Sequence, residues 1–156
     1  MRPTPTARCW LRHSVPEPNL PAVALALVRE SRTGHLATAS SAGVPHVIPV
    51  CYALVGDALY IAIDEKPKSG RRLQRLRNIE ATGQAALVID HYDEDWTQLA
   101  WVLARGPARI IDPSDPVHAC ALLELRGKYP QYRAMALESS EMIELRPDRW
   151  SHWKAS

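Results

Sequence analysis

Apolar positions along the chain alternate between two spacings, and each change of spacing marks an element. Leu20, Val23, Ala24, Leu27 and Val28 recur at three- and four-residue steps, the mark of one helix face. Asn19 is a suitable N-cap, Pro21 is tolerated in a first turn, and Gly34 ends the run. From His35 the pattern becomes strand-like. Residues 35–40 form a short strand of small side chains, 41–43 a turn, and 45–55 (PHVIPVCYALV) a strand rich in β-branched residues. Gly56 and Asp57 make a tight turn and 58–64 (ALYIAID) returns, which predicts a β-meander. Helical spacing reappears over 70–78, where Leu73, Leu76 and Ile79 make a narrow apolar stripe and Arg71, Arg72, Arg75 and Arg77 cover much of the rest. A strand over 84–91 and an acidic loop over 92–96 follow. The long strand 99–112 bends near Gly106 and Pro107, and its first half is apolar on both faces, so it is central or buried at an interface. Residues 114–129 read as a helix with Ser114 as N-cap, Pro116 in its first turn and Ala119, Leu122 and Leu123 facing inward; 142–146 is a last short strand.

These elements amount to about six strands and three helices, with sequential strands as neighbours. That pattern favours a mainly β (α+β) fold whose antiparallel sheet removes its edges by closing into a barrel. Residues 1–18, rich in Pro, Arg and Thr, are expected to be a flexible arm, and 19–156 a single domain.

Composition narrows the function. A chain that is 46% apolar and 23% charged suits an ordinary soluble domain, and a net charge of +2 gives no reason to expect nucleic acid as a partner. No stretch has the length and apolarity of a secretory leader or a membrane span, so a cytoplasmic protein without a membrane partner is expected. Three cysteines, an odd number without a CxxC, argue against a disulfide framework or a zinc site, and Cys51 and Cys120 read as small core residues. The chain has five Trp and five Tyr but no Phe, so every large ring carries a polar edge suited to a pocket rim or an interface.

The strongest chemical signal is the run 64–72, DEKPKSGRR. Lys66, Lys68, Arg71 and Arg72 are gathered between a strand and a helix start. Cations there oppose the helix dipole, so the run is either a solvated basic face or a site that recruits an anion such as phosphate. Pro49 interrupts a good strand and has no N–H to give, which places it on an edge or at a bulge, where the backbone at Val50 can face a ligand. Ala37, Thr38, Ala39 and Ala62 leave room for a planar ring or let strands pack closely. The acidic run 90–95 matches no metal-ligand spacing, so no metal is expected, and no nucleotide-loop, metalloprotease or serine-hydrolase motif is present.

Together these pieces resemble a known family. The ordered set GHLATASSAG, PHVIPVCYALVGDALYIAID, EKPKSGRRLQRLRN and VIDHYDEDW is similar to the pyridoxamine 5′-phosphate oxidase-like split-barrel proteins, and more closely to the branch that uses the deazaflavin coenzyme F420. Similarity runs from about Gly34 to Arg109, and GKYPQYRAM also fits. The resemblance implies a six-stranded split β-barrel of the flavin mononucleotide (FMN)-binding type with short flanking helices. It also implies a homodimer with cofactor sites at the interface, acting on a small molecule. On this likeness Lys66, Lys68, Arg71 and Arg72 hold the cofactor phosphate, Pro49 and Val50 lie against the ring, Ile63 and Asp64 approach it, and Trp96 and Trp101 come from the partner subunit. Where the FMN oxidases carry Ser-Arg-Lys, this chain reads Lys66-Pro67-Lys68, and it lacks their C-terminal segment for pyridoxal phosphate. The expected activity is hydride transfer from F420, with FMN as the alternative cofactor and non-catalytic flavin, deazaflavin or haem binding as the alternative role. No catalytic residue is assigned; Tyr52 and His46 are the side chains considered as proton donors.

Overall fold

The computed structural model describes residues 16–64 and 70–156; the expectations for residues 1–15 and for Lys66, Pro67 and Lys68 lie outside them. The described chain is mainly β. Helix α1 (Ala22–Glu30) leads into β1 (Gly34–Ala39), β2 (Pro45–Val50), β3 (Ala53–Val55) and β4 (Ala58–Ala62). Helix α2 (Gln74–Thr82), β5 (Gln84–His91) and β6 (Ala100–Ile111) follow, then α3 (His118–Lys128), β7 (Met142–Leu145) and β8 (Arg149–Lys154). Single 3-10 turns lie at Trp96–Gln98 and Pro130–Ala134.

All pairings are antiparallel, and the strand order is β2-β1-β5-β6-β7-β4-β3, with β8 also on β6. Strand β6 belongs to both halves. Its residues 100–107 pair with β5 and 100–105 with β8, while 108–111 pair with β7. The split lies at Gly106 and Pro107, as the bend in the sequence suggested. A Cβ on Gly106 would stand 2.7 Å from the backbone nitrogen of Asp148, and its φ of +157° also favours glycine there.

Two cores follow from the split. Leu36, Leu59, Ile61, Leu87, Ile89, Val102, Ile143 and Leu145 fill the barrel, closed by Val28 of α1 and Leu76 and Ile79 of α2. On the other side of β4, Ala58, Tyr60 and Ala62 meet Ala121, Leu122 and Leu125 of α3. Strand β4 is thus buried on both faces. That explains why 58–62 is apolar without alternation.

Eight strands lie among the described residues where six were expected. The stretch read as one strand over 45–55 breaks at Cys51 and Tyr52, because β2 pairs with β1 whereas β3 pairs with β4. The backbone freed at the break is satisfied by a side chain. The Tyr129 hydroxyl accepts from Tyr52 N–H at 3.1 Å and lies 3.1 Å from the Tyr52 carbonyl and 3.0 Å from that of Arg32. The eighth strand, Arg149–Lys154, lies where the sequence pattern predicts no element.

The helices also start later than their sequence signals. Pro21, not Asn19, occupies the N-cap position of α1. Gly70 adopts a left-handed φ of +68° and Leu73 is extended, so α2 begins at Gln74 and Arg71 and Arg72 precede it. Ser114 bonds the Asp112 carboxylate instead of capping, and α3 starts at His118. Its inward face is His118, Ala121, Leu122 and Leu125, while Leu123 is 60% exposed. Cys51 is a free thiol, but Cys120 is disulfide-bonded, against the expectation of no bridge. No helix among the described residues is long and apolar enough to cross a membrane.

Replacing Tyr129 by Phe strands the buried backbone at Tyr52 and should cost about 1–3 kcal/mol in denaturant unfolding. Gly106→Ala, which forces a carbon into the Asp148 backbone, should cost about 2–3 kcal/mol by the same measurement.

Candidate functional site

A cavity of about 220 Å³ opens where β2 and β4 end. It is lined by Ile48, Pro49, Val50 and Cys51 from the end of β2, by Ile61, Ala62 and Asp64 from β4 and the residues after it, and by Thr33, Arg75 and Tyr132. Pro49 lies on β2, the outermost strand of its half, as its missing N–H requires. Its neighbours Ile48, Val50 and Ile61 are apolar, and Ala62 leaves space. The polar groups come from three other elements.

Arg75 belongs to the first turn of α2 and is 7% exposed. Helix α2 is fixed against β1 by Asn78, which donates to the Thr38 hydroxyl at 3.0 Å and accepts from Gln74 at 2.7 Å. Arg75 precedes Asn78 and Ile79 by three and four residues, so all three share the inward side of the helix. Tyr132 comes from the 3-10 turn after α3 and donates to Asp64 Oδ2 at 2.9 Å. Burial, and then the Asp64 carboxylate, raise the Tyr132 phenol far above its ordinary range, so it stays protonated.

This set of groups suits a planar heteroaromatic ring. The walls are apolar, and a guanidinium, a carboxylate and a phenol stand around them, as ring sites combine flat apolar surfaces with few polar contacts.

Of the residues singled out in the sequence, Pro49, Val50 and Asp64 line this cavity. Ile63 instead packs against the barrel core, and Ile61 takes its place in the lining. Arg71 is exposed. The Arg72 guanidinium is held by Glu80 at 2.5 Å and by both oxygens of Glu141 at 2.9 and 3.1 Å. All three of its nitrogens are therefore engaged, Nη2 by both glutamates, and two carboxylates offset its charge. Trp96 is 70% exposed; Trp101 is 36% exposed and faces outward on β6 opposite Trp153 of β8. Neither lines the cavity. Trp101 and Trp153 border a separate apolar hollow of about 560 Å³ beside α1.

Both proton-donor candidates lie elsewhere. The Tyr52 hydroxyl is buried and donates to the Val28 carbonyl at 2.6 Å. His46 lies on β2 but does not line the cavity. Thr38 serves α2 packing, while Ala37 and Ala39 border a shallow groove with Arg105 and Arg149. Among the described residues no group of three or more His, Cys, Asp and Glu side chains is placed to hold a metal ion. Arg75 and Tyr132 were missed as site residues. The three- and four-residue relation of Arg75 to Asn78 and Ile79 was the available signal for the first.

A family model described as pyridoxamine 5′-phosphate oxidase matches residues 21–152. Among solved structures, a conserved hypothetical protein of Mycobacterium tuberculosis superposes with a TM-score of 0.67 at 19% identity, covering 86% of this chain and 85% of that one. The haem storage protein HutZ of Vibrio cholerae gives 0.65 at 12% identity, covering 83% and 90%. An F420 reductase gives 0.59 at 24% identity, covering 85% and 98%. Identities this low show a shared fold. No curated protein matches in sequence.

Behind the cavity, Lys128 Nζ sits 3.9 Å above the Tyr52 ring. The ring favours the ammonium, but burial and then the nearby Arg32 charge outweigh it and push its pKa down to about 8. Between about pH 8 and the ordinary 10.5, the folded chain has lost a proton that the unfolded chain keeps. Stability should therefore rise with pH across that window, the penalty being fully present below it. Lys128→Met should flatten the rise in urea unfolding measured at successive pH values.

Proposed function

The chain belongs to the pyridoxamine 5′-phosphate oxidase family, and on that premise we propose that it is an F420-dependent oxidoreductase acting on a small, electron-poor organic substrate. The observation that carries this reading is the cavity between Pro49–Val50 and Asp64, which lies at the chain entry to the basic run. Asp64 lines it, and Lys66 is only two residues further on, at most about 7 Å along the backbone. An anionic tail held by Lys66, Lys68 and Arg71 therefore leaves its ring within reach of Pro49, Val50 and Asp64. The dense cationic run suits the longer anionic tail of F420 better than that of FMN.

The bound deazaflavin supplies the hydride. The chain's own residues hold the ring, keep it apart from water with Ile48, Val50 and Ile61, and fix its orientation through polar contacts. No side chain of the cavity is assigned as proton donor, because the Tyr132 proton is held by Asp64.

A homodimer is part of the proposal. The outward face of β6 carries Trp101 and Leu103, and its neighbours there are Val88 of β5 and Trp153 of β8. Val47, 59% exposed, extends the apolar character to β2. Exposed apolar residues gathered on one sheet face support an interface there, and Trp101 and Trp96 are the residues that the second copy is proposed to contribute. The haem-storage and F420-reductase structures share only the fold, so the ligand is decided by the chemistry of the cavity.

Fluorescence titration of the purified protein with F420, FMN and haem separates the readings. Binding of F420 at micromolar levels, weakened by about 1.5–3 kcal/mol in Lys68→Ala or Arg71→Ala, is the expected result. A protein that isolates yellow and binds FMN more tightly supports the FMN alternative. Haem binding with no F420 affinity rejects the oxidoreductase reading.

A further inference from the structure

We infer that Lys128 is a nucleophilic amine that condenses with a small aldehyde carrying an anionic group, with Arg32 as the side chain that holds the anion. This covalent site stands apart from the ring cavity and does not depend on which cofactor is bound there.

The surroundings of the Lys128 amine give the reason. Nζ lies 3.9 Å from the centre of the Tyr52 ring and 5.5 Å from that of Tyr129. An ammonium brings three donors and needs acceptors for them, yet among the described residues no oxygen accepts a hydrogen bond from Nζ. Glu124, one turn earlier on α3, makes no ion pair with it. The Arg32 guanidinium stands 4.9 Å from the centre of the Tyr129 ring, so two cations border one ring. Arg32 has no carboxylate partner among the described residues either. The other titratable neighbours are the two phenols and the Cys51 thiol. Burial raises both phenols, so they stay protonated and supply no countercharge.

A lysine that is desolvated and set beside another cation gives up its proton readily and attacks carbonyl carbon. Burial and then Arg32 bring Lys128 down to about 8, which leaves roughly a tenth of the amine uncharged at pH 7. Lys128 is only half-buried and Arg32 is exposed, so a solute can reach both. A guanidinium takes a carboxylate or phosphate in paired, charge-assisted bonds. An aldehyde bearing such a group is therefore preferred over a neutral one. In the condensation the amine nitrogen bonds to the carbonyl carbon, and the carbon–oxygen bond breaks. Both hydrogens of the neutral amine leave with the oxygen as one water, and a C=N bond remains. No oxidant or reductant is consumed.

The full chain is tested with glyoxylate as the anionic aldehyde and acetaldehyde as the neutral one. Cyanoborohydride reduces the imine to a stable secondary amine, and peptide mass spectrometry locates the label. The chain has four lysines, Lys66, Lys68, Lys128 and Lys154, and Lys154, exposed at the end of β8, serves as the internal reference. At pH 8 glyoxylate should label Lys128 about tenfold faster than Lys154, and the Lys128 rate should level off above about pH 8. The ratio of the two rates should be several-fold smaller with acetaldehyde. Arg32→Gln should abolish that difference between the aldehydes and move the pH midpoint at Lys128 upward. Lys128→Arg should remove the label from its peptide and leave the other lysines reacting as before. The unaltered protein decides the matter even where a variant folds poorly. Labelling of Lys128 no faster than that of Lys154, or the same ratio with both aldehydes, overturns the inference.

Discussion

One hydroxyl holds the split of this barrel open. A strand that leaves one sheet for another must pass through residues whose N–H and C=O have no ladder partner, and such groups are not left bare in a folded interior. At Tyr52 that passage is buried, and the Tyr129 oxygen meets both its N–H and its carbonyl. The same oxygen reaches the Arg32 carbonyl just before β1. Three segments far apart in sequence are thereby tied at one atom. Burial pushes the phenol up to about 12, so the tie stays intact over the whole neutral range. Because the chain turns away at Cys51, the end of β2 becomes the edge of a cavity and not the middle of a sheet.

The consequences run outward from that point. Tyr129 is the residue after α3, and its ring braces Tyr132, which in turn bonds Asp64 at the exit of β4. The C-terminal third of the chain therefore sets the geometry of a site whose walls come from the first half. Lys128 over Tyr52 and Arg32 over Tyr129 flank the tie with cations, of which Lys128 is partly desolvated by burial.

What could be read from the sequence was what depends on neighbours in the chain. Period-two stretches became strands, Gly106 and Pro107 marked the bend, and Pro49 pointed to an edge. Each of these is a local property of the backbone or of alternating side chains. What escaped depended on distant partners. The break at Tyr52 is caused by a tyrosine 77 residues away. Arg72 looked like a free cation because Glu141, which neutralises it, is 69 residues off. Strand β8 escaped because its residues are mostly exposed and alternate without a clear apolar face. Arg75 was counted with the solvated arginines of α2, yet its place one turn before Asn78 and Ile79 puts it inside. The basic run thus contained two kinds of arginine that composition alone cannot separate.

That separation bears on how an anionic redox cofactor fits. A cavity of about 220 Å³ is smaller than the roughly 300–1,000 Å³ that ligand pockets usually offer. On the proposed reading it takes one end of a tricyclic ring, and other groups must cover the rest of the ring and the tail. For the tail, the proposal relies on the lysines that follow Asp64 in the sequence. The exposed flank of the ring has no such cover within one chain, since Trp96 and Trp101 point away from the cavity. An apolar sheet face bearing Trp101, Leu103, Val88 and Trp153 is the complementary shortfall, a surface that lacks a partner. In the proposed dimer a second copy docked on that face buries the exposed tryptophans, and the proposal asks it to cover the open side of the cavity as well. On this view the proposed dimer is a requirement of the cofactor's size, set by where β2 stops.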